Sequence, residues 1–323
     1  GAALVSVTLL GLWWSQTIVQ VVALQFVGGI GAAMWNISRH SFLAEAVPAS
    51  RRGRASALMG GISRITFFFT PALGGFVADA ITLRTPFLIA ATLTFMALLA
   101  AAKWIPADSK EHVDTVNNNG GRELVSVSIV QMIRSHHTIV PACMAHLCVS
   151  ITRTARNVLI PLFAADQLGL SATDIGFITS LSYGVDMLMF YPAGLLMDRL
   201  GRKFASVPSF VIQAVGLAAI PWSGGFDSLV AVAALIGFGN GIGSGTMLTL
   251  GTDLAPKEAR GEFLGVWRFI SDGGHIGSPL VVGATADFLG LMVAPFIVSG
   301  VGAAAAVILW LFVPETLERH KAS

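Results

Sequence analysis

The segment GLLMDRLGRK, Gly194 to Lys203, packs an aspartate, two arginines and a lysine into the stretch from Asp198 to Lys203. The run before it (DIGFITSLSYGVDMLMFYPA) and the run after it (FASVPSFVIQAVGLAAIPW) are almost wholly apolar. In a chain of 323 residues of which only 12% are charged, such a cluster needs a reason. Composition supplies a first one. The chain is 54% hydrophobic, with 35 glycines and a mean hydropathy of +0.74, whereas a water-facing globule carries about a quarter charged residues. It therefore reads as an all-α polytopic membrane protein, in which charges gather where spans end. The net charge of +2 gives no reason to expect nucleic acid as a partner.

One spanning helix needs roughly 20 apolar residues. Runs of that length lie near 17–44, 54–79, 85–105, 137–163, 172–197, 204–222, 226–252, 262–287 and 290–313. The opening run, residues 1–14, is shorter and lacks the basic flank of a signal peptide, so it reads as the tail of a further helix. Residues 106–136 form the long polar stretch, whose NNNGG and charges mark a solvated linker. With alternating spans, Arg51, Arg52, Arg54, Lys103, Lys110, Arg122, Arg134, Arg199, Arg202, Lys203, Lys257, Arg260, Arg319 and Lys321 share one side and Arg84 takes the other. By the positive-inside rule the linker and the C-terminus are then cytoplasmic, the membrane being the plasma or inner membrane. Cys143 and Cys148 sit in one apolar run and read as small buried residues rather than as a disulfide.

Sliding the chain on itself by 208 positions lays EAVPASRRG (Glu45 to Gly53) over DLAPKEARG (Asp253 to Gly261), and PALGGFVAD (Pro71 to Asp79) over PLVVGATAD (Pro279 to Asp287). The copies share orientation, as expected of two similar bundles related by an axis along the membrane normal.

On the signature at Gly194, Leu196, Asp198, Arg199, Gly201, Arg202 and Lys203, with the repeat and the central linker, the sequence resembles the major facilitator superfamily of transporters, from the family's third helix to its twelfth. PETLER, Pro314 to Arg319, is similar to the usual end of the family's last helix. The resemblance implies a fold of two pseudo-symmetric helical bundles, the first truncated. Residues 1–105 would form the N-terminal bundle (part of family helix 3, then helices 4 to 6), 106–136 the cytoplasmic linker, and 137–323 a six-helix C-terminal bundle with a short cytoplasmic tail. With two helices short, the 323 residues alone are expected to be inactive. Two family patterns are degenerate: Gln25 stands in QFVGGIG where an arginine is usual, and Thr70 in TPALGG where a glycine is usual. Proton-coupled drug antiport loses part of its support accordingly.

A charge at mid-membrane costs roughly 2.5–3.5 kcal/mol on insertion scales, so buried charges mark cavities or partners. Those of this chain are Arg39, Arg64, Arg153, Arg156, Asp186, Arg268 and Asp272, with His40, His146 and His275. His146, Ser150, Arg153 and Asn157 fall at helical spacing on one polar stripe, and Arg268, Asp272 and His275 on another. Such stripes suit a water-filled cavity for a polar or anionic group. Counted from the outer helix ends, Arg64, Asp186 and Asp272 lie roughly 21–22 Å deep and Arg153 roughly 16 Å. Asp186 is expected to pair with Arg64 or with Arg153. Asp272 stands at the repeat position of Arg64, and either aspartate could carry a coupling proton. GFGNGIGSG, Gly237 to Gly245, lacks the strand and the Gly-Lys-Ser/Thr of a phosphate loop and reads as close helix packing, with Asn240 a further cavity residue. Trp35, Asn36 and Tyr183 complete the candidate pathway.

The signature loop is expected to act as a gate. Asp198 would rest near the helix start at Gly53, and Arg202 would reach Asp253, the repeat partner of Glu45. Function is expected to be secondary transport of a small organic solute by a monomer, with protons as partner and no cofactor or metal. Efflux is the first expectation and import of an organic anion the second, with a non-transporting receptor on the same fold as the alternative of another class. Isolated histidines and the lack of a nucleophile–base pair argue against an enzyme.

Overall fold

The computed structural model describes residues 1–104, 138–256 and 259–317, with side chains except at nine positions between 40 and 57, Glu45 among them. The expected linker, 106–136, lies outside the described residues. Eleven α-helices are described: α1 Ala2–Trp14, α2 Ile18–Ala46, α3 Ala49–Ala80, α4 Thr85–Trp104, α5 Ile139–Asp166, α6 Ala172–Leu200, α7 Arg202–Ala219, α8 Phe226–Ile242, α9 Thr246–Leu254, α10 Arg260–Leu289 and α11 Ala294–Phe312. A short 3-10 turn, Ile220–Trp222, extends α7.

Among the described residues six stretches are long and apolar enough to cross a membrane: Ile18–Leu43, Leu58–Ala80, Thr85–Trp104, Arg202–Trp222, Phe226–Leu254 and Ala294–Phe312. Helices α5, α6 and α10, outside these six stretches, are of similar length, at 28, 29 and 30 residues. Two of them carry the buried ion pair, Arg156 on α5 and Asp186 on α6, while α10 carries the exposed pair Arg268 and Asp272.

The chain divides into two compact units, Gly1–Thr66 with Leu73–Leu124, and Phe67–Ala72 with Val125–Ser323. In the first, α1 packs against both α2 and α4. Helix α2 starts with a capping box: Thr17 Oγ1 accepts from Gln20 N at 3.3 Å, and the Gln20 side chain accepts from Thr17 N at 3.2 Å, which satisfies amides that the first turn leaves open.

In the second unit α5 packs on α10 and α11, α7 on α8 and α11, and α8 on α6. One apolar core joins Val149, Phe210, Met247, Phe263 and Leu309, with the free Cys143 and Cys148 half-buried against it. A second joins Leu159, Phe163, Ile178, Leu217, Ile236 and Val298.

The glycines of α8 do what their spacing suggests. A Cβ on Gly237 would collide with the Ser182 carbonyl of α6, and one on Gly241 would lie 2.8 Å from the Asp186 carbonyl. On the opposite face Gly239 abuts α7 at Gln213. In lipid, where helices gain no hydrophobic drive toward one another, such backbone contact is what small residues permit.

Hydropathy reads 226–252 as one span, and the structure interrupts the helix within it. The helix stops at Ile242 and resumes at Thr246. Gly245, at φ +81°, takes a left-handed conformation that side chains disfavour. The Gly243 carbonyl left at the break accepts from Arg153 Nη2 at 2.7 Å and from Thr246 Oγ1 at 2.7 Å. Periodicity of apolar residues is blind to such a break, since both halves remain apolar.

The packing predicts that Gly237→Val overpacks the α6–α8 contact by about 1–3 kcal/mol, lowering the melting temperature in detergent. Gly283→Ala, where an added Cβ meets nothing within 4 Å, should leave it unchanged.

Candidate functional site

The charged centre of the second unit is the pair Arg156 on α5 and Asp186 on α6, with Arg156 Nη2 3.2 Å from Asp186 Oδ2 and side-chain exposures of 6% and 8%. Asn240 of α8 donates from Nδ2 to the same oxygen at 2.7 Å. Asn240 adjoins Gly241, which lies against the Asp186 carbonyl, so the close approach of α8 to α6 is what brings its amide within reach. The sequence reading passes over Arg156 as a partner for Asp186. Arg153, one of its two candidates for that role, sends Nη2 to the Gly243 carbonyl and sets its guanidinium 5.4 Å from the Phe210 ring. Arg64, the other, lies half-buried in α3.

Tyr183 extends the cluster. Its hydroxyl donates to Asn157 Oδ1 at 3.0 Å, its ring lies 4.9 Å from the Arg156 guanidinium carbon, and its other neighbour is Phe67, stacked at 5.4 Å. A guanidinium against an aromatic face is attractive, the more so when both are shielded from water.

The two polar stripes face each other across α5 and α10 but differ along their length. At one end His146 is buried and stacked on Trp267, with centroids 4.3 Å apart and planes 9° from parallel. Ser150 shares a 3.0 Å hydrogen bond with Ser271, and Gly274, against Ser150, lets the helices close. Farther along, Thr154 Oγ1 and His275 Nδ1 are hydrogen-bonded, and Arg268 pairs with Asp272 at 3.8 Å one turn away. This last pair is open, with exposures of 69% and 57%. The stripe expected to line a cavity throughout is thus half helix packing, at His146 and Ser150, and half exposed.

In the first unit, α1, α2 and α4 border an open cavity of about 490 Å3 lined by Ala2, Trp35, Asn36, Arg39 and Thr94 among others. Arg39 Nη2 donates to Asn36 Oδ1 at 3.3 Å.

The signature loop closes on the C-terminal segment. Gly201, at φ +116°, ends α6 and caps α7, and a Cβ there would collide with the Glu315 carboxylate as well. Glu315 Oε1 accepts from Arg202 N at 2.8 Å and Oε2 from Lys203 N at 3.0 Å. A carboxylate at the start of α7 thus satisfies two open amides and meets the positive end of the helix dipole. Arg202 Nε reaches Asp253 Oδ2 at 3.1 Å, and Thr316 Oγ1 donates to the same oxygen at 2.8 Å. Lys203 Nζ lies 4.9 Å from the Trp310 ring. Gly194 is half-buried, Asp198 and Arg199 are exposed at the end of α6, and the side chain of Glu45 is outside those described. Sequence reasoning missed Glu315, although PETLER had marked its neighbourhood.

Helices of spanning length and an ion pair buried between two further helices define a polytopic membrane protein with a polar interior. A family model agrees: the Major Facilitator Superfamily matches residues 1–152 and 142–323. The chain belongs to this superfamily. It is 30% identical over 167 residues to the hexuronate transporter of Bacillus subtilis, covering 51% of this chain and 39% of that protein. Over 312 residues it is 23% identical to the cis,cis-muconate transport protein of Acinetobacter baylyi, covering 90% and 75%. A crystal structure of a D-xylose–proton symporter shares the fold with a TM-score of 0.71 at 18% identity, covering 98% of this chain and 80% of that one.

For Glu315, burial pushes the carboxyl up, but the backbone amides of Leu317, Arg202, Lys203 and Thr316 outweigh it and hold it below its usual 4.5. A depressed carboxyl stabilises the folded state above its unfolded value and loses that contribution as pH falls through the folded one. Docking of the C-terminal segment should therefore be complete at neutral pH and weaken only below about pH 4.5. Protease accessibility of the segment against pH checks this, and Glu315→Gln should abolish the acid step.

Proposed function

We propose that the protein is a secondary transporter for a small organic anion, working by alternating access. The observation that carries this reading is the arginine-rich polar interior of the second unit, above all Arg156 buried between α5 and α6 with Tyr183, Asn157 and Asn240 around it. Relatives named for hexuronate and for cis,cis-muconate, both carboxylates, support the substrate class. Efflux of organic compounds, the first expectation from sequence, drew on family resemblance alone.

Protons are the proposed coupling ion, carried by Asp186 or Asp272. Asp186 is held by Arg156 and Asn240, while Asp272 is open and paired only loosely with Arg268 within the described helix. A carboxylate's proton affinity falls beside a cation and rises on desolvation, so a change in either surrounding during transport would load and release a proton. The signature loop, with Arg202, Asp253 and Glu315, is proposed to latch the cytoplasmic end of the second unit.

Counterflow in proteoliposomes tests the reading. Labelled cis,cis-muconate or galacturonate should exchange against an internal pool of the same compound, whereas labelled xylose should not. Exchange of xylose alone would overturn the anion assignment, and no exchange of any solute would favour a non-transporting receptor. Uptake should rise toward acid pH, and Asp186→Asn or Asp272→Asn should flatten that dependence. If neither substitution alters it, proton coupling through these aspartates is wrong.

A further inference from the structure

Beside the Arg156–Asp186 pair lies a pocket of about 10 Å3 bounded by Arg156, Asn157, Ile160, Thr179, Ser182 and Tyr183. A space of that size admits about one water-sized atom. Two polar atoms of its wall, Arg156 Nη1 and Ser182 Oγ, have no hydrogen-bond partner among the described residues. Both residues are more than nine-tenths buried, with exposures of 6% and 3%. A buried donor left unpaired costs about 1–3 kcal/mol, more when charged, and a helical serine facing no partner commonly bonds back to the preceding turn. Neither group does so, although Thr179 on the same helix does, donating to the Ile175 carbonyl at 2.8 Å.

The chemistry of the missing partner follows from these donors. It must accept hydrogen bonds from a guanidinium N–H and a hydroxyl, and it must be a single heavy atom at its tip. It must also enter past Asn157, which is exposed, and Tyr183, which Asn157 holds in place. An ammonium or a methyl group cannot accept a hydrogen bond and so fails the first of these conditions, whereas one oxygen of a carboxylate meets all of them. The far side of the guanidinium already faces Asp186, so the pocket selects by hydrogen-bond geometry more than by net charge.

We infer that this pocket is the subsite for one carboxylate oxygen of the transported anion, donated to by Arg156 Nη1 and Ser182 Oγ. The inference rests on the organic-anion reading and adds the atoms that would recognise the anion. Ser182 is the specificity-determining residue it newly assigns, one that no periodicity in the sequence had marked.

The test is ligand-induced thermal stabilisation of the purified protein by sodium muconate, sodium galacturonate, sodium chloride and xylose. Ser182→Ala should weaken both carboxylates roughly three- to tenfold while the melting temperature without ligand stays the same. Ser182→Val, which fills the pocket, should abolish their effect, and in transport both variants should raise KM rather than lower kcat. Because Arg156→Gln alone strands Asp186 and can fail to fold, the double variant Arg156→Gln/Asp186→Asn is used, with at least a tenfold loss expected. Equal carboxylate affinity in the wild type, Ser182→Ala and Ser182→Val overturns the subsite while leaving anion transport standing. Weakening of chloride alone overturns it too, since the pocket would then hold a free halide. If neither carboxylate stabilises the wild type, the organic-anion reading fails first and the subsite falls with it.

Discussion

The second unit is organised around one costly arrangement, a guanidinium and a carboxylate paired where water is scarce. Burying Arg156 and Asp186 carries a desolvation penalty of several kcal/mol per ion, which attraction between them offsets only with good geometry and further hydrogen bonds. Asn240 supplies one of these, and it can do so only because Gly237 and Gly241 let α8 lie against α6. The glycine-rich packing and the buried charge are therefore one device, since a larger residue at Gly237 or Gly241 would displace the donor along with the helix.

The helix ends obey the same electrostatics. At the carbonyl end of α8, where the partial charge is negative, stands the cation Arg153. At the amide end of α7, where it is positive, stands the anion Glu315. Each side chain comes from a distant part of the sequence and closes backbone groups that an interrupted helix leaves open. Breaks of this kind within a membrane are tolerated where protein supplies the missing partners. Around α8–α9 they come from three places, from α5 through Arg153, from α7 through Ser209 on the Gly239 carbonyl at 2.6 Å, and from the break itself through Thr246.

What could be read in the sequence was whatever repeats or periodicity encode. The positions of the spans, the duplicated segments 208 residues apart and the signature loop defined the helical class and the superfamily, and the reading of that loop as a gate placed Arg202 near Asp253. Arg156 escaped as the partner of Asp186 because it lies off the stripe traced by His146, Ser150, Arg153 and Asn157. Spacing groups residues by face but does not say which face meets which helix. The break at Gly243 escaped because glycine at alternate positions signals close packing and local unwinding alike. Glu315 escaped because a cap contributed by residues more than a hundred positions away leaves no local pattern.

The pairing of His146 with Trp267 shows why a polar residue in a span is an ambiguous signal. His146, like Arg156, is buried on α5, yet its flat ring lies parallel to an indole in the apolar core, while Arg156 borders a space it could share with a ligand. Composition treats the two alike; the difference is set by what the neighbouring helix presents. Trp267 offers a surface that imidazole can cover, and the helix bearing Ser182 offers a second donor aimed at the same small volume. Function in such an interior is assigned less by the presence of charge than by donors whose partners the protein itself does not provide.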